Sequence, residues 1–377
     1  MPLNQVPERE RDRRRAFLES ATARAGVDHV LAYSANRVPG AVTWLTGWPV
    51  TREAVTLATA GEPDVMWIGF PNHVPNAVRM CPAADVRPAG VELGSLILAE
   101  LKRRSASRVA TLGAWPGPLI GALATQVQVV SLDQDLIRFR LIKSADEIEV
   151  LRASAALTDR GAAALLDAAA NGATESEAVG EFVRVCANAG GFSHIAYVAT
   201  ASLQAPDRTV PGQWPTDRII DIGNVLTFEL SAAVEPDYPG QLLRTVTVSV
   251  LATPKLASLH EVAVAVERSI LAAIRPGTLP SELLAIAREI VAAAGFVTVD
   301  DVVHGFGGGY LPPILSLAHP DSAPLFDEPL LSGMALVVQP NVCDVDLNLG
   351  VQTGELVVVT ADGFERLHTT AKGLLAI

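Results

Sequence analysis

The sequence is short of the features that staple a chain, thread it through a membrane or bind it to nucleic acid. Its 377 residues hold three cysteines, Cys81, Cys186 and Cys343. They lie far apart with no C-x-x-C pair, which argues against a disulfide framework and a thiolate zinc site. No apolar run approaches the roughly 20 residues that span a bilayer, so no membrane partner is expected. Basic residues form no stripe beyond RERDRRR, Arg9 to Arg15, and the formal net charge is −12. That leaves no electrostatic footprint for DNA or RNA. The start of the chain, MPLNQVPERERDRRR, has no apolar core segment of a secretory signal, and a cytoplasmic location is the expectation.

The length suffices for two domains, each with its own core. Residues 1–140 alternate helical and strand patterns: a helix near 8–26, an apolar strand at His29 to Tyr33, strands near 53–59 and 64–69, and a helix from Leu93 to Arg104. This is an α/β pattern. From 141 to 377 the order becomes two helices followed by paired strands, occurring twice. Ser144 with Glu147, and Thr174 with Glu177, are capping boxes, in which hydroxyl and carboxylate satisfy backbone N–H groups reciprocally. Helices are therefore predicted to run from each to the stops at Asn171-Gly172 and Gly190-Gly191.

Six segments carry a resemblance in order: LIKSADEIEVLRASAALTD, PTDRIIDIGN, NVLTFELSAAVEPDYPGQLLRT, VHGFGGG, DEPLLSGMALVVQP and GVQTGELVVVTADGFERL. Together they resemble the pita-bread family of creatinase, Xaa-Pro aminopeptidase, prolidase and methionine aminopeptidase. WLTGWPVTREAVTLAT extends the likeness to the N-terminal domain of the creatinase and Xaa-Pro branch. The fold implied is an α/β creatinase-like N-terminal domain and an α+β pita-bread C-terminal domain. The branch also implies a homodimer.

The family implies two divalent metals between five ligands: two Asp, one His and two Glu. At the matching positions this chain has Glu229, Gln241, His304, Gln339 and Gly354, the last beside Glu355. An amide oxygen is neutral and bridges dications poorly, so no metal cofactor is expected. A single ion held by Glu229, His304 and a displaced Glu355 stays open. Where the metallopeptidases have a second His and Glu, the chain reads Tyr310-Leu311-Pro312-Pro313.

Glu229, mid-strand in an apolar setting, and His304, in a Gly-rich loop, are the candidate acid and base. Gln241, Gln339 and Arg244 are candidate substrate ligands, since amides donate and accept and a guanidinium clamps carboxylates. An ion pair of Arg244 with its hairpin is the structural alternative. Glu355 is a further candidate whose face is undetermined, because one step along a strand reverses the side. His194 and Tyr238 complete the set, with His319 in a loop that serves as lid or connection. The expected function is metal-independent hydrolysis of a C–N bond in a small polar or peptide-like molecule. A lyase or proton-transfer enzyme, a binding pseudoenzyme and a metallo-aminopeptidase are the alternatives.

Overall fold

The computed structural model describes residues 7–35, 40–318, 324 and 326–377; His319 lies outside them. The chain divides into two compact units, Met1–Arg140 and Leu141–Ile377.

The first unit is a six-stranded sheet in the order β4-β3-β2-β1-β5-β6. Its strands are β1 His29–Ala35, β2 Glu53–Thr59, β3 Val65–Ile68, β4 Asp85–Pro88, β5 Arg108–Leu112 and β6 Gln128–Ser131. The central strands are apolar on both sides because helices cover both faces. Val30 and Ala32 pack with Leu18 and Ala21 of the helix Glu8–Ala25. Leu31 and Tyr33 pack with Ile97 and Leu101 of the helix Leu93–Arg103 on the other face.

The second unit opens with the two expected helices, Ala145–Ala170 and Glu175–Asn188, and both capping boxes form. They lie against a nine-stranded sheet whose main path is β11-β10-β12-β15-β9-β8-β7. These strands are β7 Phe192–Ser202, β8 Asn224–Ala233, β9 Gly240–Thr247, β10 Asp301–Phe306, β11 Tyr310–Ser316, β12 Ala335–Val338 and β15 Gly354–Val359. Between the last two, β13 Asn341–Cys343 pairs with β14 Gly350–Gln352 as a separate ribbon. The short strands β16 Phe364–Arg366 and β17 Leu375–Ala376 join β15 and β9.

Phe228, Leu230, Leu242 and Val246 point from β8 and β9 into a cluster with Leu157, Leu165 and Phe182 of the two helices. Alternation sends Thr227, Glu229, Ser231 and Gln241 to the opposite face. The helix meets the hairpin backbone directly, since a Cβ on Gly240 would lie 2.5 Å from the Ala155 Cα. Beside that contact Thr158 Oγ1 donates to the Gly240 carbonyl at 3.0 Å and accepts from the Ala232 N–H at 2.8 Å. One hydroxyl thus ties both strands that carry the candidate residues.

His304 was expected in a loop; it lies on β10. The glycines that suggested a loop serve the return to β11: Gly307, Gly308 and Gly309 all have positive φ. A Cβ on Gly305 would meet the Pro312 carbonyl oxygen at 2.3 Å. Glycine here permits close strand approach and a tight reversal, not a free loop.

Thr158→Val keeps the shape and deletes the hydroxyl, leaving the buried Ala232 N–H without its acceptor. Urea denaturation is expected to show a loss of about 2 kcal/mol, within the usual cost of an unsatisfied buried group.

Candidate active site

Glu229 and Gln241 sit on neighbouring strands, two register steps apart on one face: Glu229 opposes Leu243 and Ser231 opposes Gln241. From across β15, the end of β12 and strand β10 bring Gln339 and His304 to them. Gln241 Nε2 donates to Glu229 Oε1 at 2.7 Å and to Gln339 Oε1 at 2.9 Å. His304 Nε2 lies 3.3 Å from the same Gln339 oxygen, and its Nδ1 lies 3.1 Å from the Gly305 carbonyl. Acid, two amides and imidazole therefore form one continuous chain.

All four are buried. Burial, and secondly the charge of nearby Asp300, push the Glu229 carboxyl up to about 8. Burial pushes His304 down to about 4, against the opposing pull of its bonds to Gly305 and Gln339. At neutral pH the carboxyl is thus protonated and the imidazole uncharged.

The motif reading missed the groups that surround this chain. Tyr310 stacks on His304 with ring centroids 4.2 Å apart and donates its hydroxyl to Asp301. Asp300 lies near enough for its charge to raise the Glu229 carboxyl, and it accepts from Gln352 Nε2 at 3.3 Å. Asp300-Asp301 four and three residues before His304 was the available signal, but without the strand pairing it reads as an ordinary turn.

Four candidates, Arg244, Glu355, Tyr238 and His194, do not join the chain. Arg244 is three residues from Gln241, so a strand turns it to the other face. There its guanidinium binds Glu355 at 2.8 Å and the Gly354 carbonyl at 2.7 Å. Arg366 and Lys372 also pair with Glu355. Burial alone would raise that carboxyl, yet Arg366, Arg244 and Lys372 together hold it at about 2. In this ion cluster Nε and both terminal nitrogens of Arg244 are bonded to Glu355 and to the carbonyls of Leu243, Gly354, Thr370 and Ala371, which leaves Arg244 no donor for a substrate. Tyr238 is buried among Leu151, Ala155 and Leu243 and gives its hydroxyl to Glu147, so it stands in the core. His194 is exposed at a bulge of β7, 6.1 Å in ring separation from Phe306, which itself packs edge-on to His304.

The sequence model of metallopeptidase family M24 matches residues 149–361, more than half of the chain. The chain belongs to metallopeptidase family M24. It is 25% identical over 245 residues to the Xaa-Pro dipeptidase of Pyrococcus furiosus, covering 65% of this chain and 68% of that one. It is 26% identical over 262 residues to the probable dipeptidase PepE of Mycobacterium tuberculosis, covering 69% and 66%. The matches thus span about two thirds of these relatives. The structure of dipeptidase PepE from Mycobacterium ulcerans superposes with a TM-score of 0.79 over 99% of both chains, at 21% identity. The pita-bread fold expected from the motifs is therefore the fold of this M24 chain.

The M24 dinuclear centre sets a requirement that these side chains can be tested against. Two dications about 4 Å apart repel by roughly 17 kcal/mol at an effective dielectric of 20, and ligand anions must offset this. Here one carboxyl and one imidazole stand among two neutral amides. The remaining position is closed to any side chain, because Gly354 has φ 141° and a Cβ there would lie 1.9 Å from the Val338 oxygen. Among the described residues no three His, Cys, Asp or Glu side chains group to hold a metal ion. This donor set does not fit the metal pair.

Folded Glu229 keeps its proton to about pH 8, whereas the unfolded carboxyl releases it near 4.5. Stability therefore falls as pH rises through that window. Glu229→Gln removes the effect and is expected to gain about 3 kcal/mol relative to wild type between pH 5 and pH 8, read by denaturation at both values. An identical difference at the two values would mean that Glu229 is ionised in the folded protein.

Proposed function

We propose that this chain is a hydrolase that cleaves a C–N bond in a small, neutral polar or peptide-like substrate, by acid and base chemistry of Glu229 and His304 and without a metal pair. The dipeptidase names of its relatives support the reaction class. The observation that carries the metal-free part is the position of Gln241, whose side chain joins Glu229 to Gln339 where the family would place carboxylates on metals.

The protonated Glu229 is suited to give its proton to the departing nitrogen, and the neutral His304 to take a proton as water adds to the carbonyl carbon, once Nε2 is released from its contact with Gln339. The buried setting keeps both groups uncharged until the reaction needs them, and Tyr310 shields the imidazole from solvent on one side. A homodimer, with the cleft bordered by a second copy, belongs to the same proposal.

The reading is tested by hydrolysis assays on panels of dipeptides, carboxamides and ureido compounds with excess chelator. Turnover is expected to survive chelation and to hold between about pH 4 and about pH 8, the limits set by His304 and Glu229. Glu229→Gln and His304→Ala are each expected to reduce it by about 10²-fold or more. Turnover that vanishes with chelator, or persists unchanged in both variants, would contradict the proposal. Saturable binding without any turnover would make the protein a binding module instead.

A further inference from the structure

Five groups stand in line: the Gly305 carbonyl, the His304 ring, the carboxamides of Gln339 and Gln241, and the Glu229 carboxyl. The Gly305 oxygen can only accept, so His304 Nδ1 must carry a hydrogen. In a neutral ring Nε2 then offers only a lone pair, and the Gln339 atom facing it at 3.3 Å must be the amide nitrogen. The second hydrogen of that nitrogen meets Gln241 at 2.9 Å, which must answer with its oxygen. The same oxygen, 2.7 Å from Glu229, requires a protonated carboxyl. A half-turn of each carboxamide exchanges oxygen and nitrogen and leaves these contacts in place.

The opposite orientation, with the Gln241 nitrogen toward Glu229 and the Gln339 oxygen toward His304, is met at the glutamate end by a carboxylate or by the C=O of the neutral acid, but at the histidine end, with Nδ1 donating to Gly305, only by an imidazolium. That places a charge on a ring that is 1% exposed and whose partners Gly305 and Gln339 are both neutral, and its desolvation outweighs the gain in hydrogen-bond strength. The uncharged arrangement is the resting one. It uses the Gln241 oxygen and both Gln339 N–H groups internally. The remaining amide atoms bond to no described residue, and neither belongs to the buried atoms that lack a partner. They are left for a ligand: N–H of Gln241 and C=O of Gln339.

We propose that Gln241 and Gln339 together read one edge of the substrate, Gln241 donating to its carbonyl oxygen and Gln339 accepting from the N–H beside it. The inference rests on the metal-free reading of the cleft and narrows its substrate class. A carbonyl and an N–H on the same edge occur in a lactam, a ureido group or a primary carboxamide. A trans peptide bond presents them on opposite edges. The favoured substrates are therefore cyclic amides, ureas and carboxamides, not linear dipeptides.

Ligand-observed NMR on wild-type protein with chelator present tests this with two probes, 2-pyrrolidinone and N-methyl-2-pyrrolidinone. The first offers both groups on one edge, whereas the second has lost its donor and would leave the Gln339 oxygen unpaired. Saturable binding of 2-pyrrolidinone is expected, about tenfold tighter than that of the N-methyl analogue. Gln339→Met, close in shape and without the acceptor, is expected to abolish that preference. Equal affinity for the two probes, no saturation by about 50 mM, or a preference that survives Gln339→Met would overturn the proposal. No reaction is needed for this readout. Loss of turnover on chelation with the probe preference intact would remove the hydrolase reading alone, while equal affinity of the wild type for the two probes with turnover intact would remove this inference alone.

Discussion

Charge inside a dry sheet governs this site. The face of β8, β9, β10 and β12 that collects Glu229, Gln241, His304 and Gln339 is nearly closed to water, so an ion there must find a partner or give up its charge. Metals supply that partner in the M24 family pattern. With amides at two positions and a glycine at a third, the carboxyl and the imidazole instead become neutral and bind one another through Gln241 and Gln339. The perturbed acid and base follow from a change in ligand charge, with no change of fold.

The sheet's other face shows the contrasting solution. Arg244, Arg366 and Lys372 surround Glu355 and keep it ionised although it is 1% exposed. The two carboxylates are similarly buried, on adjoining parts of one sheet, and their proton affinities are driven in opposite directions. Three cations decide the one and their absence from its contacts decides the other. The ion cluster also anchors the C-terminal segment, since Arg244 donates to the carbonyls of Thr370 and Ala371.

Much of this was legible in the residues. The helix starts at Ser144 and Thr174 follow from local capping chemistry, which tertiary context does not override. The altered ligand positions are visible because motif spacing survives substitution. The role first considered for Arg244 could have been refused from parity alone, as an offset of three from Gln241 changes the face of a strand. Glu355 needed the register to β9, where it opposes Leu242 and not Leu243. Asp300 and Tyr310 could not be assigned without the β10–β11 pairing, and glycines that looked like a loop around His304 are close-packing devices within it.

Metal content of protein purified without chelator bears most directly on this account. Elemental analysis together with a stability titration against Mn, Co and Zn should find well under one equivalent retained and no shift of the unfolding midpoint. Two equivalents bound, with stabilisation that chelator reverses, would mean that the Glu229, Gln241, His304 and Gln339 face rearranges into a metal centre and that the neutral hydrogen-bonded chain is not its working state.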